Sequence, residues 1–281
     1  MIIEYIKAII FGLAEGVTEW LPISSTGHLI LLGDLVSLDL CEGELAKQYR
    51  ALFDVVIQLG AILAVLVLYR QKLMPTTHQG RALWLRLAVA TLPAATVGLA
   101  ADALCEHCFN RSLDELLFTP YVVASALITY GILFIIVERL TPTNTCPQCY
   151  GDSISIRRAL AIGCFQTLAL VPGTSRSGAT ILGARILNTS RSAAAEFSFF
   201  AAIPVIAAAS ALKIFDFVQF TSDTGAQVTS HMIGVLMLAA TVAFVTSLGV
   251  IKFLTGFIKQ HSFALFGIYR VVLGVAVFIL L

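Results

Sequence analysis

The sequence predicts an all-α polytopic membrane protein: six transmembrane helices plus two re-entrant helical hairpins, arranged as an inverted-topology repeat. Three observations carry this expectation. The 281-residue chain is 58% hydrophobic and only 12% charged, with a mean hydropathy of +0.90. Several apolar runs, among them 119–137, 232–251 and 262–281, reach the roughly 20 residues a helix needs to cross a bilayer core. Two further hydrophobic segments, 6–36 and 156–188, are broken by polar residues and resemble each other. Helices are the expected spanning element because lipid-facing backbone must satisfy its own hydrogen bonds.

The first broken segment has short arms. Residues 8–14 separate Lys7 from Glu15, and residues 29–33 separate His28 from Asp34. Neither arm crosses alone, so a helix–loop–helix that enters and leaves by one face is expected. Backbone of that kind is tolerated at depth where protein buries it or water fills the cavity. Spans near 52–69, 83–101 and 119–138 follow; the second broken segment leads into spans near 193–215, 232–254 and 262–281. An offset of 151 places Gly12 on Gly163, Glu15 on Gln166 and Ser24-Ser25-Thr26-Gly27 on Ser175-Arg176-Ser177-Gly178. Pro22 and Pro172 precede the two small-residue loops, one register apart. Three spans after each hairpin make the second copy inverted relative to the first, an architecture that places a site near the midplane. The chain is thus expected to be one membrane domain, with repeats over about 1–140 and 155–281. Its apolar start is interrupted by Glu15 and Glu19 and lacks a small-residue cleavage pattern, so no cleavable signal peptide is expected.

Charge sets the expected orientation. Loops at 34–50, 102–118 and 216–230 carry three basic residues, Lys47, Arg50 and Arg111, against ten acids. The opposite loops carry nine basic residues and one acid, Asp152. The positive-inside rule makes the second side cytoplasmic and puts both termini outside. The first hairpin then enters from the outer face and the second from the cytoplasm. The pairs Cys105/Cys108 and Cys146/Cys149 invite a four-thiolate zinc site. The intervening span, at about 1.5 Å per residue, separates them by roughly 30 Å, which argues against it. An external disulfide is open to Cys105 and Cys108, while Cys146 and Cys149 are expected as reduced loop thiols.

The reactive side chains collect in the two loops. Glu15 and Glu19, spaced i, i+4, share a helix face. Two acids at membrane depth call for a cation between them, and a hard divalent ion such as Mg²⁺ or Ca²⁺, shared with phosphate oxygens, suits them. Ser24, Ser25, Thr26 and Gly27 follow Pro22 and open a helix whose N–H groups and hydroxyls form an anion cradle. His28 adds a group that exchanges protons near neutral pH. The second loop, with Gly173, Thr174, Ser175, Ser177 and Gly178, is a similar cradle centred on Arg176, whose fork matches phosphate. Arg176 alternatively pairs with Glu15 or Glu19 and locks the repeats together. Gln58 and Glu196 lie just inside the span following each hairpin, where each either supports the site or satisfies buried backbone. Arg185 and Arg191 read as cytoplasmic anchors. The chain contains no GxxxxGK[ST], HExxH or Arg-Pro dipeptide.

EGVTEWLPISSTGH (15–28) and PGTSRSGAT (172–180) together closely resemble the bacterial undecaprenyl-diphosphate phosphatase family, also known for bacitracin resistance. The resemblance extends through FDVVIQLG (53–60), IGCFQTLALVPG (162–173), AEFSFF (195–200) and IYR (268–270). It implies metal-dependent hydrolysis of the polyprenyl diphosphate to the monophosphate, at a site open to the outer face of the plasma membrane. By position, Glu15 and Glu19 match the family's acidic pair, Ser25 and His28 its serine/histidine site, and Arg176 its arginine. Thr174 departs from the pattern, since some relatives carry an aromatic residue there. The partners implied are the lipid substrate and the bilayer, with room for a homodimer and no role for nucleic acid.

Two routes fit these residues. Either Ser25 attacks the terminal phosphorus with His28 as base, or His28 activates water. A transporter or polyprenyl-phosphate flippase on the same inverted repeat is the alternative from a different class.

Overall fold

The computed structural model describes residues 2–141 and 154–280, and every regular element among them is helical. The first apolar arm is α1 (Ile2–Thr18), and the chain turns at 19–24 into α2 (Ser25–Leu35). Three long helices follow, α3 (Gly43–Leu68), α5 (His78–Phe109) and α7 (Pro120–Leu140), with short α4 (Arg70–Leu73) and α6 (Leu113–Leu117) between them. The second hairpin is α8 (Ile156–Gln166), a 3₁₀ turn (Thr167–Leu170) and α9 (Arg176–Ile186). The chain ends in α10 (Arg191–Thr224), α11 (Ser230–Phe257) and α12 (Ala264–Leu280). Helix starts follow local chemistry: Thr77, Thr119, Ser155, Ser190 and Thr229 each cap the backbone N–H three residues on.

Five helices, α3, α5, α7, α10 and α11, are long and apolar enough to cross a membrane. The chain is therefore a multi-pass membrane protein. The sixth expected span is α12, at 17 residues about 25 Å long. The spans expected at 83–101 and 193–215 are parts of longer helices of 32 and 34 residues. Hydropathy marks the apolar part of a helix, whereas i→i−4 hydrogen bonding continues through Asp102, Glu106 and Asp216. The hairpin arms are 17, 11, 11 and 11 residues long, and the three of 11 are well short of a bilayer crossing.

Paired side chains define two ends. At one, Lys7 bridges Glu4 and Asp39, so the chain leaving α2 returns beside the start of α1. Tyr49 donates there to the Met232 carbonyl, joining the starts of α3 and α11. At the other end, Glu138 of α7 holds Arg185 of α9 at 2.8 Å and Arg191 of α10 at 2.7 Å. Lys72 of α4 meets Glu196 there. Arg185, expected as a cytoplasmic anchor, is only 1% exposed, because this pair lets its charge sit inside the bundle.

Hairpins and spans pack across the two halves of the chain. α1 lies on α11 and α8 lies on α5, with small residues at the crossings. A Cβ at Gly12 would stand 2.5 Å from the Ala239 carbonyl, and one at Gly163 would strike the Ala90 carbonyl. α7 and α12 cross where Gly131 faces Gly267. Beneath the first turn, fully buried Trp20 meets Phe199 edge-on, with centroids 5.5 Å apart. Cys105 and Cys108 are free thiols near the end of α5, so the disulfide open to them is not formed. Cys146 and Cys149 lie outside the described residues.

Candidate active site

Both turns end on a serine in the left-handed region. Ser24 has φ 74° and Ser175 has φ 69°, and each side chain accepts the N–H three residues on, from Gly27 and Gly178. Only a few per cent of non-glycine residues adopt such φ, and strain of this kind costs about 1–3 kcal/mol. Local capping and surrounding packing hold both.

Three contacts tie the turns together. Arg176 Nη2 donates to Glu19 Oε1 at 2.9 Å, and its Nη1 donates to the Ser198 carbonyl at 2.7 Å. The Ser177 hydroxyl donates to the Leu21 carbonyl at 3.3 Å. Arg270, fully buried on α12, donates to the Pro22 carbonyl at 3.2 Å and the Gly173 carbonyl at 2.9 Å. Gly173 itself has φ 90°, and a Cβ there would stand 2.5 Å from the Val123 carbonyl.

Glu19 is the hub. Its Oε1 receives Arg176, and its Oε2 receives the Ser25 hydroxyl at 2.7 Å. Arg176, Glu19 and Ser25 thus form one hydrogen-bonded chain across both hairpins. They line a chamber of about 200 Å³ with Thr26, Gln58, Gln166, Gly173 and Ser175 on its polar side. Ala94, Leu170, Val205 and Ile206 form an apolar wall. The chamber shares Thr26, Gln58, Ala169, Leu170, Pro172 and Ala209 with a larger cavity of about 750 Å³. That second cavity extends past Arg50, Asp54 and Asp34 to Phe118, toward the end where Lys7 meets Asp39.

Several expected roles change with this geometry. Ser25 and His28 are not hydrogen-bonded to each other: the Ser25 hydroxyl donates to Glu19, while both His28 ring nitrogens are engaged elsewhere, on the Ser24 carbonyl and Tyr269. Helical geometry directs a side chain at i+4 back toward the carbonyl of residue i, which turns the imidazole away from the chamber. Ser24, Gly27, Thr174, Ser177 and Gly178 do not line either cavity. Ser24, Gly27 and Gly178 are engaged in capping and Ser177 in bracing, whereas Thr174 is fully buried and caps nothing. Gln58 reaches the chamber, but Glu196 pairs with Lys72 at the far end.

Glu15 is fully buried, and neither carboxylate oxygen has a hydrogen-bond partner. Its charged neighbours are Glu19, Asp54 and Arg176. Gln166, at the equivalent position in the second copy, has an orphaned buried Oε1. Such orphaned oxygens suit a hard divalent cation. Among the described residues no three His, Cys, Asp or Glu side chains are grouped to hold a metal. Glu15 lines neither cavity; with Glu19 it is the acid pair that would hold such an ion, water and phosphate oxygens completing the shell.

The chain matches known proteins over nearly its whole length. The profile of the family described as "Bacitracin resistance protein BacA" matches residues 8–276. The chain belongs to that family. It is 43% identical over 288 residues to an undecaprenyl-diphosphatase of Enterococcus faecalis, covering 99% of this chain and 97% of the relative. It is 44% identical to proteins of the same name from Acetivibrio thermocellus, covering 98% and 97% of the two chains, and Lactococcus lactis subsp. cremoris, covering 98% and 96%.

Arg270 and Tyr269 are the residues near this BacA-family site to which sequence reasoning gave no role. The available signal was a lone arginine inside the otherwise apolar run 262–281, which demands a buried partner.

Proposed function

We propose that the protein hydrolyses undecaprenyl diphosphate to undecaprenyl phosphate and inorganic phosphate, recycling the lipid carrier of cell-wall synthesis and conferring bacitracin resistance. The observation that carries this reading is the Arg176–Glu19–Ser25 chain, with links of 2.9 and 2.7 Å, facing a chamber between two helix N-termini. The membrane arrangement in this reading is six spans and two re-entrant hairpins in inverted repeats. The reciprocal packing of α1 on α11 and α8 on α5, and the matched left-handed caps at Ser24 and Ser175, support it. The protein sits in the bacterial plasma membrane with both termini outside, and the larger cavity opens outward, in keeping with the acid-rich loops at that end.

The terminal phosphoryl group enters the chamber, where the starts of α2 and α9 present N–H groups and positive dipole ends. The apolar wall receives the first part of the prenyl chain. Arg176 neutralises the transferring group, the main demand in phosphoryl transfer. Ser25 Oγ bonds to the terminal phosphorus as its proton passes to Glu19 Oε2. The bridging P–O bond breaks, and undecaprenyl phosphate leaves with the electron pair. Water, losing a proton to solvent, then bonds to phosphorus while Glu19 returns its proton to Ser25 Oγ, freeing phosphate. Glu15 and Glu19 would hold a divalent cation, whose charge offsets that of the diphosphate.

Phosphate release from undecaprenyl diphosphate in detergent tests this, because no vectorial transport is scored there. Glu19→Gln keeps the shape but removes the base, so a fall of about 10²–10⁴ in kcat is expected, the usual contribution of general base catalysis. Wild-type turnover in Glu19→Gln would refute the assignment. Incorporation of solvent oxygen without a trapped phosphoserine would replace the Ser25 step by direct water attack.

A further inference from the structure

His28 and Tyr269 form a contact that the proposed chemistry does not use. His28 Nδ1 lies 2.7 Å from the Ser24 carbonyl, and its Nε2 lies 2.7 Å from the Tyr269 hydroxyl. The two rings lie within 2° of parallel. A carbonyl only accepts, so Nδ1 must carry the hydrogen. In the neutral ring Nε2 is then the acceptor, and the Tyr269 O–H donates to it. The Ser24 carbonyl sets the tautomer, and Tyr269, on a helix far away in sequence, reinforces it by donating to the remaining nitrogen.

What that tautomer holds is the strained turn. Ser24 sits at φ 74°, and its carbonyl receives both the His28 backbone N–H at 3.3 Å and the imidazole N–H. This orients the peptide linking Ser24 to Ser25, the residue whose hydroxyl reaches Glu19. The second turn has no such device: the offset of 151 places Ala179 where His28 stands. There Arg270 grips the Gly173 carbonyl directly. Adjacent residues of α12 thus restrain both turns, Arg270 by direct donation and Tyr269 through His28.

We propose that Tyr269 is a positioning residue for hydrolysis: by donating to His28 Nε2 it reinforces the Nδ1–H tautomer and anchors the ring that holds the Ser24 peptide and aims Ser25 at Glu19. This rests on the Ser25–Glu19 reading above. It makes His28 a strut for the turn and leaves proton transfer to Glu19. Tyr269 is 44% exposed, so removing its hydroxyl leaves the packing of α12 largely intact.

The test pairs kinetics with a spectroscopic readout in full-length protein. Histidine is labelled with ¹⁵N, and the His28 resonances among the five histidines are assigned by difference with His28→Asn. In the wild type, at a pH where the ring is neutral, Nδ1 should be pyrrole-like and Nε2 pyridine-like. Tyr269→Phe should mix the tautomers and lower kcat about tenfold, roughly the effect of one hydrogen bond, with KM within about twofold. In a Tyr269→Phe/His28→Asn double variant the loss should be no greater than in His28→Asn alone. An unchanged His28 spectrum in Tyr269→Phe, full turnover despite mixed tautomers, or additive losses in the double variant each overturn the proposal. Failure of the Ser25–Glu19 reading would show separately, as wild-type turnover in Glu19→Gln.

Discussion

Arg176→Lys separates charge from geometry at the centre of the site. The arginine fork spans two acceptors at once, the Ser198 carbonyl at 2.7 Å and Glu19 Oε1 at 2.9 Å. A lysine ammonium keeps the positive charge beside Glu19, so the buried carboxylate is not left alone and the fold should persist. It cannot keep both bonds with the planar spacing of the guanidinium, nor offer a bidentate face to phosphate. Losing one hydrogen bond to a charged group is worth about 1.5–3 kcal/mol, which corresponds to roughly a 10- to 150-fold fall in kcat/KM. The measurement is phosphate release from undecaprenyl diphosphate in detergent, with the melting temperature followed in the same buffer. Arg176→Ala is the companion: it strands Glu19, whose side chain is 8% exposed, and should cost roughly 3–5 kcal/mol of stability as well as activity. If the lysine variant turns over within twofold of wild type, fork geometry has no role and the argument from bidentate recognition is wrong.

The scaffold is testable apart from the chemistry. Glu138→Ala leaves Arg185 and Arg191 without their shared acid, and Arg185 is almost fully buried. A loss of about 3–5 kcal/mol is expected in unfolding experiments, with turnover per folded molecule unchanged because the pair lies at the end away from the chamber mouth. Gly12→Val presses new atoms against the Ala239 carbonyl and should destabilise the α1–α11 crossing by about 1–3 kcal/mol. Gly249→Ala, where a Cβ would meet nothing within 4 Å, is the control; an equal effect of the two on melting temperature would contradict the close-packing account.

Much of the frame was legible because it rests on local rules. Charges breaking two apolar segments implied short paired arms, and the arms are 17 and 11 residues, then 11 and 11. The offset of 151 aligned Ser24 with Ser175, and these two serines share a left-handed cap conformation. Partner choice was not legible. Glu15 and Glu19 are equivalent by spacing, yet Glu19 takes both Arg176 and Ser25 while Glu15 takes neither. The helix ends at Thr18, so Glu19 begins the turn and swings toward the second hairpin, whereas Glu15 stays on the packed face of α1. Likewise His28, near Ser25 in sequence, points at residue 24 because helical side chains lean toward the N-terminus. Cys105 and Cys108 illustrate the same limit, since proximity in sequence did not make them a bond.

The balance of energies explains why the two turns need each other. Each left-handed serine costs about 1–3 kcal/mol, so the two turns together carry roughly 2–6 kcal/mol of strain. The braces that cross between hairpins are one charged pair, one neutral hydrogen bond and the two donations of Arg270. At about 1 kcal/mol for a neutral bond and 1.5–3 for one involving a charge, these braces are of the same order as the strain. Every one of them joins the first turn to the second or joins either to α12. A hairpin taken alone keeps its strain and loses its braces, and its caps at Gly27 and Gly178 would be left to hold the turn. The geometry of Ser25 is therefore a property of the two turns together, with α12 as the element that closes them.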